Sequence, residues 1–278
     1  MADRRLATGL VFSFLFVQVQ AVRADLVISE FLANPSGMDS PREYVELVAT
    51  RDIDFAATPY SVVFANNGSA TSTGWVAGGS KTYAFNIGSG TVSRGDVVYV
   101  GGSLADPIAG GGATLRAIQT GTTPGDGFGN ASSGGVLGNG GTSADAIAIF
   151  NLAAGSITSS SVPVDGIFFG DAIGGAFVSP TAGFMLPSND WYSGGRLQAN
   201  SIVLADGSSG QKGIFSGTFD TTSSQWLSAR SLSFSGASQA PGTTSISLSA
   251  VPEPRAYLTG LLAAILVGGS VVARKRLA

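Results

Sequence analysis

Alternating apolar and polar positions set the predicted elements. Asp25-Leu-Val-Ile-Ser-Glu-Phe-Leu-Ala-Asn-Pro-Ser-Gly37 is followed closely by Glu43-Tyr-Val-Glu-Leu-Val48. Successive side chains of a strand point to opposite faces, so Leu26 and Ile28 read as inward positions of a first strand, with the apolar Phe31 added to them although it falls out of step with that alternation. In the second, Tyr44 and Glu46 share one face while Val45 and Leu47 share the other. Asn34-Pro35-Ser36-Gly37 is a strong turn signal, making the two an antiparallel pair joined by a loop of about ten residues. Further strands are predicted at Tyr60–Ala65, Lys81–Ile87, Val97–Val100, Ala146–Asn151, Gly166–Phe169, Ile202–Leu204 and Ile214–Phe219. Helical periodicity is hard to find between residues 25 and 250. About nine short strands with polar, Gly-rich connections predict an all-β sandwich over 25–235.

The pattern changes at both ends. Arg4-Arg5 precedes an apolar run from Leu6 to Val19, and Val22-Arg23-Ala24 ends in small residues at the last and third-last positions. This is the layout of a signal peptide over 1–24, with signal peptidase cutting between Ala24 and Asp25 after Sec export. At the other end, Val251-Pro252-Glu253-Pro254 leads through Arg255 into 18 uncharged residues, Ala256–Ala273, and then Arg274-Lys275-Arg276. As a helix those 18 residues span about 27 Å, enough for a hydrocarbon core. The basic terminus stays cytoplasmic, which puts the preceding domain outside. Pro252 and Pro254 keep the segment before the helix extended, the form a processing enzyme grips.

Composition then excludes chemistry. Cys and His are absent, so there is no disulfide, no thiolate nucleophile, no imidazole base and no zinc site built on either residue. The formal net charge is −3, but residues 25–250 hold eight basic and 16 acidic side chains, a net of −8. Nucleic-acid binding is not expected of such a surface. Gly101–Gly141 contains 14 Gly in 41 residues and reads as a flexible insertion. The Ser/Thr/Gly-rich stretch 236–250, with Pro241, reads as a spacer holding the domain off the membrane.

Pro252-Glu253-Pro254, a spanning helix and a short basic end, in that order over 251–278, resemble the PEP-CTERM sorting signal. The resemblance implies a partner, exosortase, a membrane-embedded cysteine transpeptidase or protease that would supply the nucleophile. Its clients are released or passed to the cell surface and the extracellular polysaccharide matrix. Ile-Ser-Glu-Phe-x-Ala-Asn-Pro-x-Gly and then Glu-Tyr-Val-Glu-Leu, over residues 26–48, resemble the opening of a lamin-tail domain. That family implies an immunoglobulin-like β-sandwich carried on exported proteins.

Several side chains hold candidate chemistry. Glu30, Glu43 and Glu46 form the best carboxylate cluster, with Glu30 and Glu46 expected to face each other on neighbouring strands. Paired carboxylates are what glycoside hydrolysis requires, although hydrogen bonding within the fold is the expected role here. Asp126, Asp145, Asp165, Asp171 and Asp206 offer hard oxygen ligands for a structural calcium ion, yet their spacing follows no EF-hand, and solvated turn carboxylates are the expected reading. Trp75, Trp191 and Trp226 suit sugar stacking but are more often core, with Trp191-Tyr192 the pair to test first for glycan contact. Arg94-Gly95-Asp96 leads into a strand and reads as a turn rather than an adhesion tripeptide. The expectation is a non-enzymatic surface or matrix protein without a cofactor; the alternatives are a polysaccharide-binding module or a carboxylate-dependent glycan-active enzyme.

Overall fold

The computed structural model describes residues 25–37, 42–65, 74–76, 82–101, 113–118, 137, 145–169, 184–185, 187, 191–192, 195–196, 203–204, 209–228, 230–236 and 244–249. The predicted signal peptide, the sorting motif and the predicted membrane helix 256–273 lie outside them.

Among the described residues the chain forms 17 strands and one turn of 3₁₀ helix, Ala154–Ser156. The first seven strands are Leu26–Leu32 (β1), Tyr44–Ala49 (β2), Ile53–Asp54 (β3), Tyr60–Ala65 (β4), Thr82–Ile87 (β5), Thr91–Val92 (β6) and Val97–Gly101 (β7). The next six are Ala113–Ile118 (β8), Asp145–Phe150 (β9), Asp165–Phe169 (β10), Trp191–Tyr192 (β11), Gly195–Arg196 (β12) and Val203–Leu204 (β13). Lys212–Asp220 (β14), Gln225–Trp226 (β15), Ser231–Ser235 (β16) and Ser245–Ser249 (β17) complete the set. The class is all-β, as the alternation predicts. The number exceeds the expected nine because five further strands are two-residue pairings too short to show as a pattern, two lie in stretches read as unstructured, and Ser231–Ser235 has a Ser-rich alternation that does not stand out as a strand.

One sheet runs β15-β14-β1-β2-β7-β8, with β16 and β17 also paired to β14. The second runs β13-β10-β9-β4-β5. Both contribute to one core: Ile28, Phe31, Val45, Leu47 and Phe215 from the first meet Val62, Phe64, Ile147, Ile149 and Phe169 from the second. Phe31 bridges the layers, with ring centroids 4.8 Å from Phe169 and 6.0 Å from Phe215. A bulge in β1 between Ile28 and Glu30 reconciles the sequence pattern with this core. Strict alternation would leave Ile28 and Phe31 on opposite faces. The extra residue shifts the parity, so both point inward and Glu30 points out.

Both outer faces are covered in part. On the second sheet, Val63, Ala84, Phe150 and Phe168 pack beneath Trp75 and Phe184. On the first, Leu32, Tyr44 and Tyr99 form a small separate cluster.

Two expectations change. Within 101–141, read as a flexible insertion, Gly101 ends β7 and Ala113–Ile118 pairs parallel to it. Within 236–250, read as a spacer, Ser245–Ser249 pairs parallel to β14 from Ser216 to Asp220. The alternation Ser-Ile-Ser-Leu-Ser is a strand pattern that a Ser-rich composition conceals. Ile246 is its buried anchor.

Candidate functional site

The carboxylate cluster is a built feature of the first sheet. Glu30 of β1 lies directly opposite Glu46 of β2, as expected, and Glu46 lies opposite Tyr99 of β7. The β1 bulge places Ser29 where its hydroxyl donates to Glu46 Oε1 at 2.7 Å and to the Glu46 carbonyl at 3.1 Å. The Tyr44 hydroxyl donates to Glu30 Oε1. Lys212, at the start of β14, brings its ammonium 3.1 Å from Glu30 Oε2. Tyr44 and Tyr99 close one side, ring centroids 5.4 Å apart. Glu46 Oε2 is buried without a hydrogen-bond partner among the described residues. Glu43 joins from the end of the strand, where its Oε2 accepts the Leu137 amide at 3.2 Å.

Burial sets the electrostatics. It pushes the Glu46 carboxyl up to about 7; the neighbouring Glu30 charge adds to this, while the Ser29 hydrogen bond and Lys212 oppose it. Burial also holds the Tyr44 hydroxyl far above its ordinary range, with Glu30 adding to the effect. Glu30 is 2% exposed and Glu46 1%, so neither offers a surface to a glycan chain. The arrangement suits chemistry among its own side chains better than chemistry on a polymer.

Two more polar sites tie the fold together. Asp165 opens β10 and Arg230 precedes β16; they form a bidentate pair with Arg230 Nη1 3.0 Å from Oδ2 and Nη2 3.2 Å from Oδ1. The Ile28 amide donates to Asp165 Oδ2 at 2.7 Å, and Arg230 Nη1 donates to the Ile28 carbonyl at 3.3 Å. The guanidinium also lies 4.9 Å from the Phe215 ring centre and 4.8 Å from that of Trp226. Asp25, the residue predicted to follow the signal peptide, is buried too. Its Oδ2 accepts from Tyr60 at 2.6 Å and from Arg51 at 2.7 Å. Bonding to Asp25 leads in raising Arg51; burial leads in raising Tyr60.

The remaining sequence candidates fall in different places. Asp145 and Asp165, read as solvated turn carboxylates, are buried at the starts of β9 and β10. A Gly-rich neighbourhood resembles a loop in sequence, whereas each of these residues begins an apolar strand. Asp126, Asp171 and Asp206 lie outside the described residues, and among the described residues no three acidic side chains gather as a metal site. Trp75 and Trp226 are core residues, 1% exposed. Trp191 and Tyr192 pair with Arg196 and Gly195 in a hairpin apart from the two large sheets. Arg94 and Gly95 make the expected turn: the Asp96 amide donates to the Ser93 carbonyl at 3.0 Å, and Gly95 takes φ of 93°. Ala24, Pro252, Glu253, Pro254, Arg274, Lys275 and Arg276 lie outside the described residues.

Lys212 and Arg230 were not singled out from the sequence. The available signal was scarcity: with charged residues at 12% of the chain, a Lys opening Lys-Gly-Ile-Phe and an Arg beside Ser-Leu-Ser-Phe stand against apolar strands. A scan against protein-family models and searches of curated proteins and of solved structures returned no match to this chain.

Proposed function

We propose that this chain is a non-enzymatic protein of the cell surface or extracellular matrix, exported by the Sec route and sorted by exosortase. The observation that carries the reading is the order Pro252-Glu253-Pro254, 18 uncharged residues and Arg274-Lys275-Arg276 at the C-terminus. An immunoglobulin-like, lamin-tail-like sandwich is the exported body. Two sheets sharing one core support that reading, as does the pairing of Leu26–Leu32 with Tyr44–Ala49, the two strands that carry the resemblance. Cleavage after Ala24 agrees with a strand beginning at Leu26. The burial of Glu30 and Glu46 favours a structural role over glycan hydrolysis. Calcium has no role in this reading. Mass spectrometry of the mature protein tests it: a new N-terminus at Asp25 and loss of the segment after Pro254 are expected. A secreted product intact through Ala278 would overturn the sorting claim.

A second reading, a module that binds extracellular polysaccharide, draws support from Trp191–Tyr192 lying in a hairpin of their own. Binding of the mature chain to the producer's matrix polysaccharide, lost in Trp191→Ala, is its expected result. Equal binding by the variant would remove it.

A further inference from the structure

We propose that Lys212 and Glu30 condense into a side-chain amide, an isopeptide bond that locks β14 to β1. The two groups are already in contact, with Nζ 3.1 Å from Oε2, and their side chains are only 8% and 3% exposed. The backbone fixes the approach, because Glu30 pairs with Ile214 and Lys212 is its diagonal neighbour two residues along the same strand. Positioned reactants of this kind reach effective concentrations far above those in solution.

The step balances without any outside reagent. A proton passes from the Lys212 ammonium to Glu30, giving a neutral amine and a carboxylic acid. Nζ then attacks Cδ of Glu30, the C–N bond forms, the bond from Cδ to Oε2 breaks, and Oε2 leaves as water. Tyr44 holds the other oxygen, Oε1, and its hydroxyl stabilises the negative charge that develops there. Glu46 stands directly opposite Glu30 and is the group placed to take the proton from nitrogen and return it to the departing oxygen. Its Oε2 is buried and has no hydrogen-bond partner among the described residues. Burial supplies the driving force: a buried ion pair keeps much of the desolvation penalty of two charges, whereas an amide is neutral and the water is released to solvent. Of the ion pairs among the described residues, only this one can react so. Arg51 and Arg230 present guanidinium groups, which remain protonated and are poor nucleophiles.

The bond would close a chain that has no Cys and so no disulfide. The inference needs nothing from the sorting reading and stands if that fails. To test it, the full chain is purified, shown to melt cooperatively, denatured and digested for peptide mass analysis. The expected result is a branched peptide joining the β1 and β14 segments, lighter by one water than their sum, and absent in Lys212→Arg. Glu46→Gln, which preserves shape, is expected to slow its appearance about a hundredfold when chain isolated unfolded and unjoined is first allowed to fold, and to change its pH dependence. Separate β1 and β14 peptides of full mass from the folded chain would overturn the proposal, and so would an amide to any carboxyl other than Glu30. Wild-type rate and pH dependence in Glu46→Gln would overturn the proton relay.

Discussion

Arg230 and Asp165 join the two sheets at the bulge of the first strand. Asp165 belongs to the second sheet and Arg230 precedes a strand of the first, and each also bonds one backbone group of Ile28. The pair therefore satisfies the local backbone polar groups where the bulge interrupts regular pairing.

Removing one partner leaves the other charged and buried. Asp165→Ala or Arg230→Met is expected to destabilise the folded chain by about 3–5 kcal/mol, read from denaturant unfolding. The double variant is expected to lose less than the sum of the singles, because the second change removes the stranded charge. Additive losses would mean that the two side chains act separately.

The carboxylate cluster predicts a pH dependence with a definite sign. Glu46 has a carboxyl raised from an ordinary 4.5 to about 7 in the folded chain. The folded state therefore holds a proton that the unfolded state releases, and stability falls as pH rises through this window. Its contribution is fully present below about 4.5 and lost above about 7, a change of about 3 kcal/mol. Glu46→Gln should flatten the profile over that range in urea titrations. Burial leads this shift, so the direction holds whether or not Lys212 and Glu30 are joined.

Gly213 and Gly88 should respond differently to the same substitution. A Cβ on Gly213 would stand 2.5 Å from a ring carbon of Phe31, the aromatic that bridges the two sheets. Gly213→Ala is expected to lower stability by about 1–3 kcal/mol through displacement of that ring. A Cβ on Gly88 meets nothing within 4 Å. Gly88→Ala is expected to leave stability unchanged or to raise it by about 0.5 kcal/mol. Thermal melts of the two variants, compared side by side, check the contrast.

Trp75 anchors the cover on the outer face of the second sheet. Its ring lies 4.7 Å from Phe184 and 5.6 Å from Phe168, and its indole N–H donates to the Met185 carbonyl at 2.7 Å. Trp75→Ala is expected to cost about 3–5 kcal/mol. Trp75→Phe should recover part of it, with the shortfall measuring the hydrogen bond and the lost ring area. Both are read by chemical denaturation.

The all-β class, the first antiparallel pair and most long strands were legible in the chain because a strand writes its period of two directly into residue type. The facing of Glu30 and Glu46 was legible too, since it follows from pairing those two strands. The turn at Arg94-Gly95-Asp96 followed from local backbone chemistry. The end segments are also read from local features: run length, charge and proline positions.

What stayed hidden depends on residues distant in sequence. Glu30 meets Lys212, and Asp165 meets Arg230, only because β14 returns beside β1, β16 pairs with β14 and the second sheet closes over the core. No period or motif encodes such a meeting; it arises when burying the common apolar face fixes which strands are neighbours. The same cause turned Ser245–Ser249 from an apparent spacer into a strand, because β14 offered it a partner. Local pattern, then, specified strands and turns, and the proposed processing of the ends rests on it as well. Packing chose the partners of the buried charges, where desolvation makes each unpaired group costly enough to select one arrangement.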